Sequence, residues 1–173
     1  MRRWIMLPVA AVIALAAGVL VSHAAGTVVT GTSVTQVKIA RQQFTQIANN
    51  SQGFVDIPGM STTITVPTNT KAIILVRFSA ETQCISTSAA AQSACFVRVL
   101  VNGNDLQPSN GEGADMATAP ESRGMRTFER SRGPVGPGTY FVKAQMLAVA
   151  NGSGVTSSIQ LDLSHMTVER ISA

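Results

Sequence analysis

Two apolar stretches in the middle of the chain decide the fold: residues 72–81, AIILVRFSAE, and residues 95–101, CFVRVLV. In the first stretch one set of alternate positions is apolar throughout, whereas the other set becomes polar from Arg77 onward. The second stretch alternates in the same way, with Val97 and Val99 on its apolar side. Because successive side chains of a strand point to opposite faces, both stretches predict strands that bury one face in a core.

Similar alternation of β-branched and polar residues recurs elsewhere, and helical periodicity is almost absent after residue 25. The predicted strands are 33–40, 43–48, 61–66, 72–80, 95–101, 125–131, 139–150 and 158–171. Turn residues separate them at 49–51, 57–59, 67–69, 102–104, 133–138 and 151–154. The spacing predicts an all-β fold, an antiparallel jelly-roll-like β-sandwich of about eight strands. The irregular stretch 108–123 is either a functional loop or a poorly ordered one.

The composition excludes several classes of protein. Of the 173 residues, 45% are hydrophobic, 13% are charged and 5% are aromatic, against about 25% charged residues in ordinary domains. A disordered chain would be poor in apolar residues and highly charged, and a coiled coil would be rich in Glu, Lys and Leu. The length fits one domain.

The first 25 residues have the pattern of a secretory signal peptide. Arg2 and Arg3 precede an uncharged apolar run over residues 4–21, and small residues follow at 22–25. This order predicts cleavage, a single domain over residues 26–173 and a secreted protein, extracellular or periplasmic. The alternative is an uncleaved membrane anchor, because the run has the minimum length of a spanning helix. In that case the chain would contact a membrane through this segment alone.

The charge balance argues against nucleic acid as a partner. The formal net charge is +4, but removal of residues 1–25 would leave 11 basic and 9 acidic side chains, a net charge of +2. Nucleic-acid-binding proteins concentrate Lys and Arg on one face. Here Arg123, Arg126, Arg130 and Arg132 are interrupted by acidic residues such as Glu129, which is typical of a mixed-charge strand.

The two cysteines, Cys84 and Cys95, predict a disulfide. An even cysteine count in an oxidising compartment indicates pairing. The spacing does not fit CxxC redox chemistry, and no His or second Cys pair lies nearby to complete a zinc site. The bond would close a small, polar loop over residues 85–94.

Five charged residues lie within the predicted strands, where alternate residues are apolar: Arg77, Glu81, Arg98, Glu129 and Arg130. Partly buried charges persist only when they are paired, so we predict a structural ion-pair network across neighbouring strands. If the disulfide joins neighbouring strands, Arg77 and Arg98 lie on the less apolar faces of an antiparallel pair. Their expected partners are then Glu81 and Glu129.

Several segments resemble a group of small secreted bacterial β-sandwich proteins of unassigned function, and the likeness covers roughly residues 61–170. The segments are VRFSAETQC at 76–84, CFVRVLVNG at 95–103, FERS at 128–131, PGTY at 137–140 and MTVER at 166–170. The Asn-Gly turn after a strand and the PGTY entry into a late strand are also distantly similar to C1q/TNF-type jelly rolls. This second likeness implies a jelly roll and trimers, and it carries no catalytic residues.

Catalytic and metal-binding patterns are weak, and we predict no catalytic residue, cofactor or metal. His165 is the sole histidine after residue 25, and the nucleophile-elbow pattern GxSxG is missing. A glycosidase needs two facing carboxylates, for which the candidates are Glu81, Glu112, Asp115, Glu121 and Glu129. The loops 102–105 and 112–115 lack the EF-hand pattern, and turn formation explains the Asn-Gly pair of the first.

Three functional hypotheses follow. The favoured one is a secreted, non-enzymatic β-sandwich that binds an unknown extracellular or cell-surface ligand or has a structural role. The second is a homotrimeric jelly-roll protomer, and the third is a carbohydrate-active enzyme that uses loop carboxylates. Sugar binding by aromatic stacking is disfavoured, because Tyr140 is the sole Tyr and the sole Trp lies in the first 25 residues.

Overall fold

The computed structural model describes residues 27–32, 36–43, 46–49, 53–87, 92–107, 114–119, 122–151 and 154–173. Within these ranges every regular element is a β-strand. The strands are β1 (Thr27–Thr32), β2 (Gln36–Gln42), β3 (Gln46–Asn49), β4 (Val55–Val66), β5 (Ala72–Ser86), β6 (Gln92–Val101), β7 (Asn104–Asp105), β8 (Met116–Thr118), β9 (Arg123–Val135), β10 (Gly138–Asn151) and β11 (Ser157–Ser172).

The strands form two antiparallel sheets. The six-stranded sheet has the order β1-β2-β11-β5-β9, with β3 also paired to β11. The five-stranded sheet has the order β4-β10-β6-β7, with β8 also paired to β6. The chain repeatedly crosses from one sheet to the other, and β2 lies beside the last strand, β11. This arrangement is that of a jelly roll, so the predicted fold class is confirmed.

The core lies between the sheets and follows the alternation in the sequence. In β5 the side chains of Ile74, Val76 and Phe78 are fully buried, and the residues between them are partly or largely exposed. The rings of Phe78 and Phe128 stack with their centroids 5.5 Å apart. The opposite sheet contributes Val97 and other aliphatic side chains to the same cluster. Burial of these alternate side chains is the main stabilising contribution to such a sandwich.

All eight predicted strands are present, and most extend beyond their predicted ends. The structure adds β1 and the short strands β7 and β8. One predicted turn is wrong, because residues 57–59 lie inside β4. Gly59 has a φ of 75° there, a conformation that glycine adopts without steric cost. Position 133 in β9 also requires glycine, because a Cβ there would lie 2.9 Å from the carbonyl oxygen of Ala72.

The predicted signal peptide, residues 1–25, lies outside the described residues, as do residues 108–113, 120 and 121 of the irregular stretch 108–123. Among the residues that the structure describes, no helix is long and apolar enough to cross a membrane.

Candidate functional site

The predicted disulfide is confirmed, but it does not join neighbouring strands. Cys84 lies on β5 of the six-stranded sheet, Cys95 lies on β6 of the five-stranded sheet, and both residues are fully buried. The bond therefore crosses the core and connects the two layers. The expectation that Arg77 and Arg98 share an antiparallel pair is wrong for the same reason, because β5 and β6 belong to different sheets.

Two residues of the predicted ion-pair network, Arg77 and Glu129, pair with each other, and the other three have side-chain partners outside the predicted set. Arg77 donates to Glu129 with an Nη2–Oε2 distance of 2.6 Å, across the outer face of the six-stranded sheet. Glu81 accepts instead from Arg123 at 2.8 Å. The Arg77–Glu129 pair is about half exposed, and exposed pairs contribute less than about 1 kcal/mol. Arg98 and Arg130 lie elsewhere, and their surroundings are described below.

Arg130 forms the most buried ion pair in the described part of the chain. Its Nε lies 2.9 Å from Oδ1 of Asp115, and the two side chains are 18% and 9% exposed. The other carboxylate oxygen of Asp115 accepts from the backbone N–H of Val99 at 2.7 Å. Burial raises the pKa of Asp115 above its ordinary value, and the hydrogen bond from Val99 and the charge of Arg130 only partly offset this. The pair joins β9 to the opposite sheet.

An apolar groove lies on the outer face of the five-stranded sheet. It is lined by Phe54, Phe96, Ala114 and Leu147 and has a volume of about 300 Å³. Phe96 on β6 and Leu147 on β10 are directly opposite each other in the register, and Phe54 immediately precedes β4. The volume is at the lower end of the range for small-molecule sites, about 300–1,000 Å³.

A row of polar side chains borders this groove, one step along the same face of the sheet. Arg98 and Gln145 are the next register pair on that face after Phe96 and Leu147. The Nε of Arg98 donates to the side-chain oxygen of Gln145 at 2.9 Å. The Arg98 guanidinium carbon lies 3.9 Å from the centroid of the Phe54 ring, within the range of a cation–π contact.

The polar row continues to Asp56. Its Oδ1 accepts from the Gln145 side-chain amide at 2.6 Å and from the Lys143 ammonium at 2.8 Å. These hydrogen bonds lower the pKa of Asp56 below its ordinary value, so the carboxylate is charged at neutral pH. Lys143 balances that charge. Within the described part of the chain no carboxylate forms an ion pair with Arg98, and the row therefore carries a net charge of about +1.

His165 lies at a second, smaller hollow of about 130 Å³ on the other sheet, beside Arg41 and Leu163. Burial, with a contribution from the charge of Arg41, lowers the pKa of His165. The neighbouring Ser164 is 2% exposed. Since adjacent residues of a strand point to opposite faces, Ser164 and His165 do not form a nucleophile–base pair.

The candidate carboxylates that the structure describes, Glu81, Asp115 and Glu129, do not line either depression. Glu81 and Glu129 lie on the outer face of the six-stranded sheet, Asp115 is paired with Arg130, and Glu112 and Glu121 lie outside the described residues. In the part of the chain that the structure describes, no group of three His, Cys, Asp or Glu side chains is close enough to hold a metal ion.

The sequence does not predict the groove, because Phe54 lies outside the predicted strands and Leu147 lies inside the predicted strand 139–150 with nothing to distinguish it. A signal was nevertheless present, because β6 carries apolar residues on both faces near Phe96, and β10 does so near Leu147. Such a strand end is buried on both faces or forms an exposed apolar patch.

No protein-family model matches the chain, and the search of curated proteins found no match either.

Proposed function

We propose that the protein is an extracellular, non-enzymatic binding module and that its groove on the five-stranded sheet is the binding site. The observation that supports this proposal is the combination of an apolar hollow with a bordering polar row. Sites for small ligands are concave and mostly apolar, with few polar groups that fix orientation. The lining side chains Phe54, Phe96, Ala114 and Leu147 are apolar, so they offer contact area and no reactive group.

The groove can be tested with Phe96→Thr, which removes one of its two aromatic side chains and keeps a residue type that strands accept. We expect the variant to bind the neutral alcohol 1-octanol at least fivefold more weakly than the original protein, because roughly 25 cal/mol is lost for each Å² of apolar contact. The measurement is an NMR titration that follows backbone amide shifts.

The matched control is Phe141→Thr, on the same face of the same sheet. Phe141 is 45% exposed and lies six residues from Leu147 on β10, about 20 Å away at roughly 3.3 Å per residue. This variant should bind 1-octanol as the original protein does. Shifts that are absent, or that are lost equally in both variants, would contradict the proposed site.

A second candidate function is assembly into homotrimers through the outer face of the six-stranded sheet. A specific feature favours it: one end of this face carries partly exposed aliphatic side chains from three neighbouring strands. They are Val37, Ile39, Ile73, Leu75 and Ile171. An aliphatic patch of this kind is typical of a protein–protein contact, and a second copy of the chain is the occupant that we propose.

Assembly is tested by Ile73→Lys, which places a charge in the patch directly opposite Ile171. We expect the original protein to sediment at about three times the mass of one chain and the variant to sediment as a monomer, because an unpaired charge disfavours a desolvated contact. Thr63→Lys, at an exposed position on the other sheet, is the control and should remain trimeric. A monomeric original protein at high concentration would rule out this candidate.

A further inference from the structure

We infer that the groove selects small anionic amphiphiles, with Arg98 as the residue that holds the anionic head. This inference rests on the proposed binding function and specifies the chemical class of the ligand: one short apolar body that ends in a carboxylate. The first observation is size. A volume of about 300 Å³ holds roughly ten groups of the ~30 Å³ that a water molecule occupies, which matches an eight-carbon carboxylate.

The second observation is charge. Asp56 is balanced by Lys143 at 2.8 Å, and Gln145 uses its amide to donate to Asp56 and its oxygen to accept from Arg98. Arg98 commits its Nε to Gln145, and the described part of the chain offers its guanidinium no carboxylate. An arginine fork binds a carboxylate through two parallel hydrogen bonds, so Arg98 has the geometry and the charge to take an anion.

The third observation is position. The guanidinium is stacked on Phe54, 3.9 Å from its centroid, and Phe54 is itself a wall of the groove. The stack and the bond from Gln145 hold the cation at the border of the apolar lining. A ligand whose body contacts Phe96 and Leu147 therefore has its end near Arg98, because the two pairs are neighbours on one face of the sheet.

The size also decides between two sources of such a ligand. A membrane phospholipid carries two long acyl chains, whereas this groove accommodates one short chain. The ligand is therefore a free carboxylate in solution.

The test compares octanoate with 1-octanol, which differ at the head group, at pH 7 by NMR titration. We expect the original protein to bind octanoate about tenfold more tightly, since a hydrogen bond to a charged group contributes roughly 1.5 kcal/mol or more. In Arg98→Gln the two affinities should become equal, mainly through weaker binding of octanoate. The far-ultraviolet circular dichroism spectrum of the variant checks that it is folded. Arg77→Gln, a variant on the other sheet, should keep the full preference.

Three results would overturn the inference: equal affinities in the original protein, a preference that survives in Arg98→Gln, or cosedimentation with phosphatidylglycerol vesicles that octanoate does not reduce. In the first case binding of 1-octanol at Phe96 would still support the proposed function, and the charge selection alone would fail. If neither compound shifts the amides near Phe96, the proposed function fails as well.

Discussion

Replacement of Asp115 by alanine is expected to lower the free energy of unfolding at pH 7 by about 3–5 kcal/mol, because it leaves a buried charge without its partner. Arg130 is 18% exposed and directs its Nε at the Asp115 carboxylate. The same substitution deprives the backbone N–H of Val99 of the acceptor that it contacts at 2.7 Å. The measurement is urea-induced unfolding followed by circular dichroism.

Asp56→Ala is the matched control, since Asp56 also pairs with a cation at 2.8 Å but its side chain is 61% exposed. An exposed pair contributes less than about 1 kcal/mol, so this variant should unfold near the urea concentration of the original protein. Equal losses for the two aspartates would show that burial does not distinguish the pairs.

Removal of the disulfide through a Cys84→Ala, Cys95→Ala double variant is expected to cost about 2–3 kcal/mol, the chain-entropy contribution of a loop of this size. The corresponding double serine variant should be less stable still, because a buried hydroxyl without a partner costs a further ~1–3 kcal/mol. At position 95 the carbonyl oxygen of Ser158, 3.3 Å from the Cys95 Sγ, offers one acceptor. Both cysteines are fully buried, so the difference between alanine and serine reports their position inside the core.

The control is the original protein unfolded in the presence of a reducing agent, which breaks the same bond and leaves two thiols. Its free energy of unfolding should be equal to that of the alanine variant or lower. Thiol titration of the denatured, unreduced protein should detect no free cysteine. Two titratable thiols, or an alanine variant as stable as the original, would contradict a stabilising bond.

The strands were predictable because burial imposes a period of two on the sequence. β5 shows this directly: Ile74, Val76 and Phe78 face the core, and the residues between them do not. The short strands were not predictable. β7 has two residues and β8 has three, too few for any alternation to be recognised. Residues 57–59 have turn composition, yet they lie inside β4, at the register shift in its pairing with β10.

The contacts between the two sheets could not be predicted from the sequence pattern. The alternation states which side chains share a face, but it does not state which strands share a sheet. The spacing of Cys84 and Cys95 therefore predicts a bond that closes a small loop, but it does not show that the bond joins opposite layers. The same limit affected the charges: Arg98 faces Gln145, and Arg130 reaches Asp115 from the other sheet.

The position of β9 at the end of the six-stranded sheet has a consequence for the behaviour of the protein in concentrated solution. A terminal strand presents unpaired backbone groups that can template the addition of a further chain, and natural proteins protect such strands with charged side chains. Among the described residues, the bridge between Ser131 and Gln107 covers one point of the outer edge of β9. The charged side chains that β9 exposes there, among them Arg123 and Glu129, are of the kind that disfavours such addition.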